Sequence, residues 1–467
     1  MKKNKTLVIL MFVLFPLLVG MACTCGLLPF GGKNVKETQE PTRIVEEIPT
    51  QVSPTRVAPV VPPVKTEEVK EDLDGDLVIE RDNWGSDEDY VFVGFLLSNQ
   101  NKDDMALTNV EYSIYMLDAN EEIVAQDWST YPLLLPGDKV AVFYQYPILE
   151  DDPTIESVEI NYSHEGLKKN NGAVNPFSVE KIMYWDAGYW PIVTGIVYND
   201  DPIVYTDVRA TIVLTNSDGN VVGGGYTYID FIPGYDEMGF SAYVDAYDTV
   251  ETVEIYPVTS YGTKEYDDTN ELWERVSIID YTFYPDEYDL LYGGVVIQNN
   301  LDTVLEDAIL AVTFYDPDGY VTSQAGEAID YLMPGETLGI APYIYSQPEG
   351  ASASDFTIII FPGEPAKNYE LTKNVFTVNS AILTGSYDDM VKVNFTNTYN
   401  KEVSDVNVYA LVYDSDGSIL GGGVSYYIDP IPAGASADFE FYVTYQTDEI
   451  VDRIEAWVLP YYWTDFE

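Results

Sequence analysis

The chain has 467 residues, room for three or four domains, and at 46% hydrophobic it can bury real cores. Its 78 acidic residues against 23 basic ones give a formal charge of −55, and a surface of that sign repels phosphate backbones, which excludes nucleic acid as a partner. With two cysteines and one histidine, no multi-histidine zinc site and no repeated histidine triad can be built.

Lys2, Lys3 and Lys5 precede an apolar run from Leu7 to Met21, the basic and apolar regions of a signal peptide over residues 1–22. The run ends in Gly20-Met21-Ala22-Cys23, which resembles the lipobox of bacterial lipoproteins. That resemblance implies a diacylglyceryl group on the Cys23 thiol, cleavage before it, and Cys23 as the first residue of the mature chain. An uncleaved anchor is the alternative, because Leu7 to Phe30 is uncharged and long enough to span a bilayer. In both cases the membrane is a partner through the N-terminus, and the remaining chain is expected outside the cytoplasm.

Residues 23–74 are expected to be a disordered Pro/Thr/Glu-rich linker. Pro41, Pro49, Pro54, Pro59, Pro62 and Pro63 keep such a segment extended and deny it a packed core. Forty residues of this kind would reach up to ~120 Å. Asp72-Leu73-Asp74-Gly75-Asp76 lacks the alternating ligands and closing Glu of an EF-hand and is expected to be a solvated linker end.

Four copies of one unit follow, expected over 75–163, 174–260, 272–362 and 373–463. Asn99, Asn199, Asn299 and Asn397 each close an apolar run. Thr-Asn-Val (108–110), Thr-Asp-Val (206–208), Glu-Asp-Ala (306–308) and Ser-Asp-Val (404–406) come next, and a Pro-Gly or Pro-Ala-Gly marker follows each. Between these marks every second residue is apolar: Val110, Tyr112, Ile114 and Met116 in the first copy, Val406, Val408, Ala410 and Val412 in the last. Period two with one apolar face predicts a half-buried strand. Turns with Asp or Asn first, such as Asp316-Pro317-Asp318-Gly319, lead into the next strand. The fold class expected is all-β: four tandem immunoglobulin-like β-sandwich modules, joined by short polar segments as semi-flexible beads.

The stretches Ala311-Val312-Thr313-Phe314-Tyr315-Asp316-Pro317-Asp318-Gly319 and Leu411-Val412-Tyr413-Asp414-Ser415-Asp416-Gly417 resemble the signature of FxLYD domains. The resemblance implies small extracytoplasmic sandwiches, often carried by lipoproteins, with no general activity.

Chemistry is sparse. His164, in a polar segment, is expected to be a solvated linker histidine, and Gly223–Gly225 and Gly421–Gly423 are expected to mark bulges or close strand packing. Carboxylates are too numerous for any pair of them to single out a glycosidase. The one suggestive constellation is a loop rich in aromatics and acids before the second strand of each copy. It holds Trp84, Asp87 and Asp89, then Trp185, Asp186, Tyr189 and Trp190, then Tyr284, Asp286 and Tyr288, then Tyr387 and Asp388. Aromatic faces stack on sugars and clustered carboxylates hold calcium. The expectation is therefore a non-catalytic surface lipoprotein without a resident cofactor, presenting spacer and interaction modules to a cell-wall, glycan or protein partner. The alternative is a calcium- or glycan-dependent adhesin, and a carboxylate-based hydrolase is more distant.

Overall fold

A computed structural model describes residues 77–86, 89–101, 105–149, 153–186, 191–285, 290–344, 348, 351–366, 373–384, 389–446 and 449–461. Cys23, the leader and the linker lie outside these. The described chain is strands joined by turns and loops, with one helical turn.

The first copy holds β1 (Leu77–Ser86), β2 (Tyr90–Asn99), β3 (Met105–Leu117), β4 (Ile123–Leu134), β5 (Lys139–Pro147) and β6 (Ser157–Lys169). They form two antiparallel sheets, β1-β2-β5 and β4-β3-β6. This is the order of strands A, B, E and C′, C, F in an immunoglobulin-type sandwich. The predicted alternation holds: Val110, Tyr112, Ile114 and Met116 point into the core between the sheets, where they meet Val93, Phe95 and Leu97.

The second copy has β7 (Phe177–Trp185), β8 (Ile192–Asn199), β9 (Ile203–Thr215), β10 (Val221–Ile232), β11 (Glu237–Tyr243), β12 (Asp245–Ala246), β13 (Thr252–Thr259), β14 (Glu265–Asp267) and the turn α1 (Asn270–Trp273). The third has β15 (Val276–Pro285), β16 (Leu291–Asn299), β17 (Leu305–Tyr315), β18 (Val321–Leu332), β19 (Thr337–Ile340), β20 (Asp355–Phe361) and β21 (Glu364–Pro365). The fourth has β22 (Phe376–Leu383), β23 (Met390–Asn397), β24 (Val406–Tyr413), β25 (Ile419–Tyr427), β26 (Ser436–Tyr442), β27 (Thr444–Tyr445) and β28 (Arg453–Pro460). Each repeats the plan, with sheets β11-β8-β7, β15-β16-β19 and β22-β23-β26 facing sheets built on β9, β17 and β24.

The sequence markers have physical reasons. Asn99, Asn199, Asn299 and Asn397 are buried at the end of the second strand. The Nδ2 of Asn299 donates to Thr303 O and Leu332 O, both at 2.9 Å, and its Oδ1 accepts from the Leu301 N–H at 2.9 Å. Asn99, Asn199 and Asn397 make the same three bonds. One side chain thus satisfies three backbone groups where two sheets exchange a strand. The next marker is a left-handed residue. Asn109, Asp207, Asp307 and Asp405 all have φ between 49° and 60°; the pairing passes over the first three with no change of register, and Asp405 stands just before β24. Left-handed backbone favours Asn and Asp over other residues with side chains. The hairpin turns are held as expected: Asp316 Oδ1 accepts from the Asp318 and Tyr320 N–H groups at 2.9 and 2.8 Å.

The joints differ from the expectation. β6 continues to Lys169, β14 pairs with β9, and β21 pairs with β17, so much of the segments read as linkers extends the sheets. His164 is in β6 opposite Val110 and half-buried, not in a solvated linker. Its neighbours alternate too weakly in hydropathy for the strand to show in the sequence. The glycine triplets do mark close packing: a Cβ on Gly223 would sit 2.3 Å from Asp245 O, and one on Gly421 2.2 Å from Thr444 O.

Candidate functional site

Two regions bear on function: the loops between first and second strands, and the outer faces of the sheets. Of the loop residues, Asp87, Tyr189, Trp190, Asp286, Tyr288, Tyr387 and Asp388 lie outside the described residues. Trp84 stands in β1 and is 4% exposed, part of the first core. Asp89 is exposed, and its carbonyl accepts from the Ile148 N–H at 2.7 Å. Trp185 ends β7 half-buried and donates its Nε1–H to Thr194 Oγ1 at 3.2 Å, while Asp186 beside it is exposed. Tyr284 donates its hydroxyl to Leu420 O at 2.7 Å, a bond that crosses from the third copy to the fourth. The described aromatics of the loops are therefore engaged in packing. Among the described residues no group of three or more His, Cys, Asp or Glu side chains is placed to hold a metal ion.

The sheet faces carry more structure. In the second strand both faces are apolar: Val91, Val93, Phe95 and Leu97 face the first core, and Phe92, Gly94 and Leu96 face outward. The outward set is buried too, because the next sandwich covers it. Leu96 and Ala141 pack on Val213 and Val221, and Phe92 stacks on Tyr247 with ring centroids 4.9 Å apart. Gly94 admits this approach, since a Cβ there would lie 2.5 Å from Val221 Cγ1. Polar links frame the contact. The Ala141 N–H donates to Thr211 Oγ1 at 3.0 Å, Asn83 Nδ2 donates to Val221 O at 2.9 Å, and Arg81 pairs with Glu254.

The same geometry recurs twice. The Thr194 hydroxyl donates to Val321 O at 2.7 Å, and Gly239 abuts Thr313, joining the second copy to the third. Ala341 packs on Leu411, Tyr413 and Ile419, and Gly339 abuts Trp457, joining the third to the fourth. In each case the three-stranded sheet of one copy meets the larger sheet of the next. Consecutive sandwiches thus share buried, glycine-notched faces, which corrects the picture of semi-flexible beads. The signal was present in the sequence: β2 reads apolar at every position from Val91 to Leu97, the mark of a strand buried on both sides.

The two end faces are different. At the position of the cross-strand pairs Leu96–Ala141, Ile196–Gly239 and Val296–Gly339, the fourth copy has Asn394–Asp438. Asn394 Nδ2 donates to Asp438 at 2.8 Å, and Lys392 pairs with Asp438 at 3.0 Å. On the first copy the outer face of β4-β3-β6 carries exposed Glu111 and Trp128, the latter 69% exposed.

A buried carboxyl and a half-buried one sit at these junctions. Burial pushes Asp138 up to about 6, although it accepts from the Leu135 N–H and from Asn175 Nδ2. Burial pushes Glu327 up to about 7, and the neighbouring Asp330 carboxylate adds to the rise. Asp330 in turn accepts from Asn407 Nδ2 of the fourth copy at 2.9 Å.

No family model matches the chain, and no curated protein matches it.

Proposed function

We propose that the protein is a non-catalytic surface lipoprotein. A lipid on Cys23 holds it to the outer face of the cell membrane, and the Pro-rich linker carries a stiff series of β-sandwiches away from that surface to meet a cell-wall, glycan or protein partner. The observation that carries this reading is the buried face between consecutive sandwiches. A chain of independent binding modules would leave its sheet faces solvated and its joints loose. Here Gly94, Gly239 and Gly339 let sheets close on one another, an arrangement suited to holding a set distance and orientation. The acidic surface keeps such a body soluble and repelled by anionic headgroups.

The test is export with lipid labelling. Bacteria expressing the full chain are fed an alkyne fatty acid, and protease is added to intact cells. The wild type should carry the label and be shaved from the cell, while Cys23→Ser should lose the label. Unlabelled wild type would overturn the lipid anchor in favour of an uncleaved helix.

A further inference from the structure

Arg209 breaks the pattern of its strand. It lies on the outer face of β9, where the aligned residues of the third and fourth copies are Ile309 and Asn407. It is 9% exposed. Among the described residues no carboxylate pairs with it directly, in a chain with 78 acidic residues, although the Asp127 carboxylate lies near enough to feel its charge. Its Nη1 reaches Ser129 Oγ at 3.4 Å, a long bond, and its Nε has no acceptor. The faces of the guanidinium are covered by the rings of Tyr226, Tyr131 and Tyr228, at 4.1, 4.9 and 5.9 Å. Only its edges remain to donate.

Tyr131 breaks the pattern in step. It pairs across from Val110, where the next two copies pair Val208 with Ile229 and Ala308 with Ile329. It is 1% exposed, and its hydroxyl has no partner. An unpartnered buried donor costs about 1–3 kcal/mol, and more when charged. Arg209 and Tyr131 are among the residues around one cavity of about 290 Å³ between β4 of the first copy and the sheet of the second, although Arg209 Nε and the Tyr131 hydroxyl are themselves shut off from it. Its other walls include Ser129, Thr130, Asp207 and Ser260. Tyr261, 63% exposed, stands at its rim, where its hydroxyl donates to Asn109 Oδ1 at 3.0 Å.

We propose that this cavity binds one residue of a carboxylate-bearing sugar, a hexuronate. A guanidinium whose faces are stacked presents a planar fork, and the matching ligand is a planar carboxylate. The Asp207 carboxylate, whose Oδ2 already accepts from Ser260 Oγ at 2.6 Å, disfavours a doubly charged anion and favours ligand hydroxyls. Ser129, Thr130 and Ser260 add hydroxyls of both polarities, and the Tyr261 ring offers a face to a pyranose. The volume is at the small end for ligand pockets, which fits a monosaccharide unit. The site does not depend on lipid anchoring, so it stands or falls separately from the lipoprotein reading.

The experiment is isothermal titration of D-glucuronate and D-galacturonate into the full chain, with D-glucose and acetate as comparisons and melting temperature as a second readout. At least one uronate should bind, ten-fold or more tighter than glucose or acetate, and raise the melting temperature. Arg209→Lys keeps the charge but loses the fork, and should weaken binding about 10- to 100-fold. Ser129→Ala removes a hydroxyl from the cavity wall and should weaken binding about 3- to 10-fold. The melting temperature of each ligand-free variant separates loss of a ligand contact from loss of fold. Absence of heat and of any melting shift with both uronates would overturn the proposal. Acetate binding as tightly as the uronates would overturn the sugar assignment, and uronate binding unchanged in both variants would overturn the location.

Discussion

Asn299 shows what a single buried amide does in this fold. It closes three backbone bonds at once, so Asn299→Ala strands groups that water cannot reach. The expected cost is about 2–4 kcal/mol in chemical denaturation. Asp307, with φ of 59°, makes the complementary point about backbone. Asp307→Gly should be nearly neutral, whereas Asp307→Val forces a β-branched residue into left-handed backbone and should cost about 1–2 kcal/mol. Glu327 sets a pH dependence. Its folded value near 7 lies above its ordinary 4.5, so between those values the folded chain holds a proton that the unfolded chain has released. Stability from this group is complete below the ordinary value and is lost as pH rises through 7. Glu327→Gln should therefore be more stable than wild type at pH 8, by on the order of 1–2 kcal/mol, and no more stable at pH 4. Thermal melts at the two pH values check the sign.

At the scale of strands, the sequence carried most of the sandwich. The alternation from Val110 to Met116 is two-period because one face meets the core, and the recurring Asn and Asp markers stand where an amide tie and a left-handed residue are needed. What it left open was which element covers the second apolar face. Leu96 facing another sandwich and Val93 facing its own core look the same in a string of letters, and Gly94 gives no hint of the Val221 methyl that lies against it. Arg209 and Tyr131 escaped notice for a related reason. They are 78 positions apart in sequence and meet only because one sandwich docks on the next. The loops with Tyr189, Trp190, Asp286 and Tyr288 were legible as composition, but a loop's composition does not fix where its side chains point. The docking itself is testable. A Cβ on Gly339 would sit 2.4 Å from the Trp457 ring, so Gly339→Val should wedge the third sandwich from the fourth. Overpacking of this kind costs about 1–3 kcal/mol. Limited proteolysis should then separate the third copy from the fourth faster than in the wild type.

For the whole described chain, shared faces mean shared stability. Four sandwiches that bury surface against one another should melt with more cooperativity than four independent ones, so the van't Hoff enthalpy from calorimetry should exceed that of an isolated sandwich. The polar ends limit the series. Lys392, Asn394 and Asp438 stand where the third copy has Gly294, Val296 and Gly339. Replacing them as Lys392→Gly, Asn394→Val and Asp438→Gly should expose a face like those that dock, and light scattering should report association of copies that the wild type does not show.

Those closing residues also constrain how such a gene can change length. Unequal recombination between the middle copies would leave an apolar face opposite an apolar face, and the product would have a way to fold. Duplication of the last copy would instead trap Lys392 and Asp438 beneath a sheet, charges shut away from water in a place shaped for glycine. Inherited variation in copy number should accordingly be an affair of the interior, with the two ends passed on unaltered.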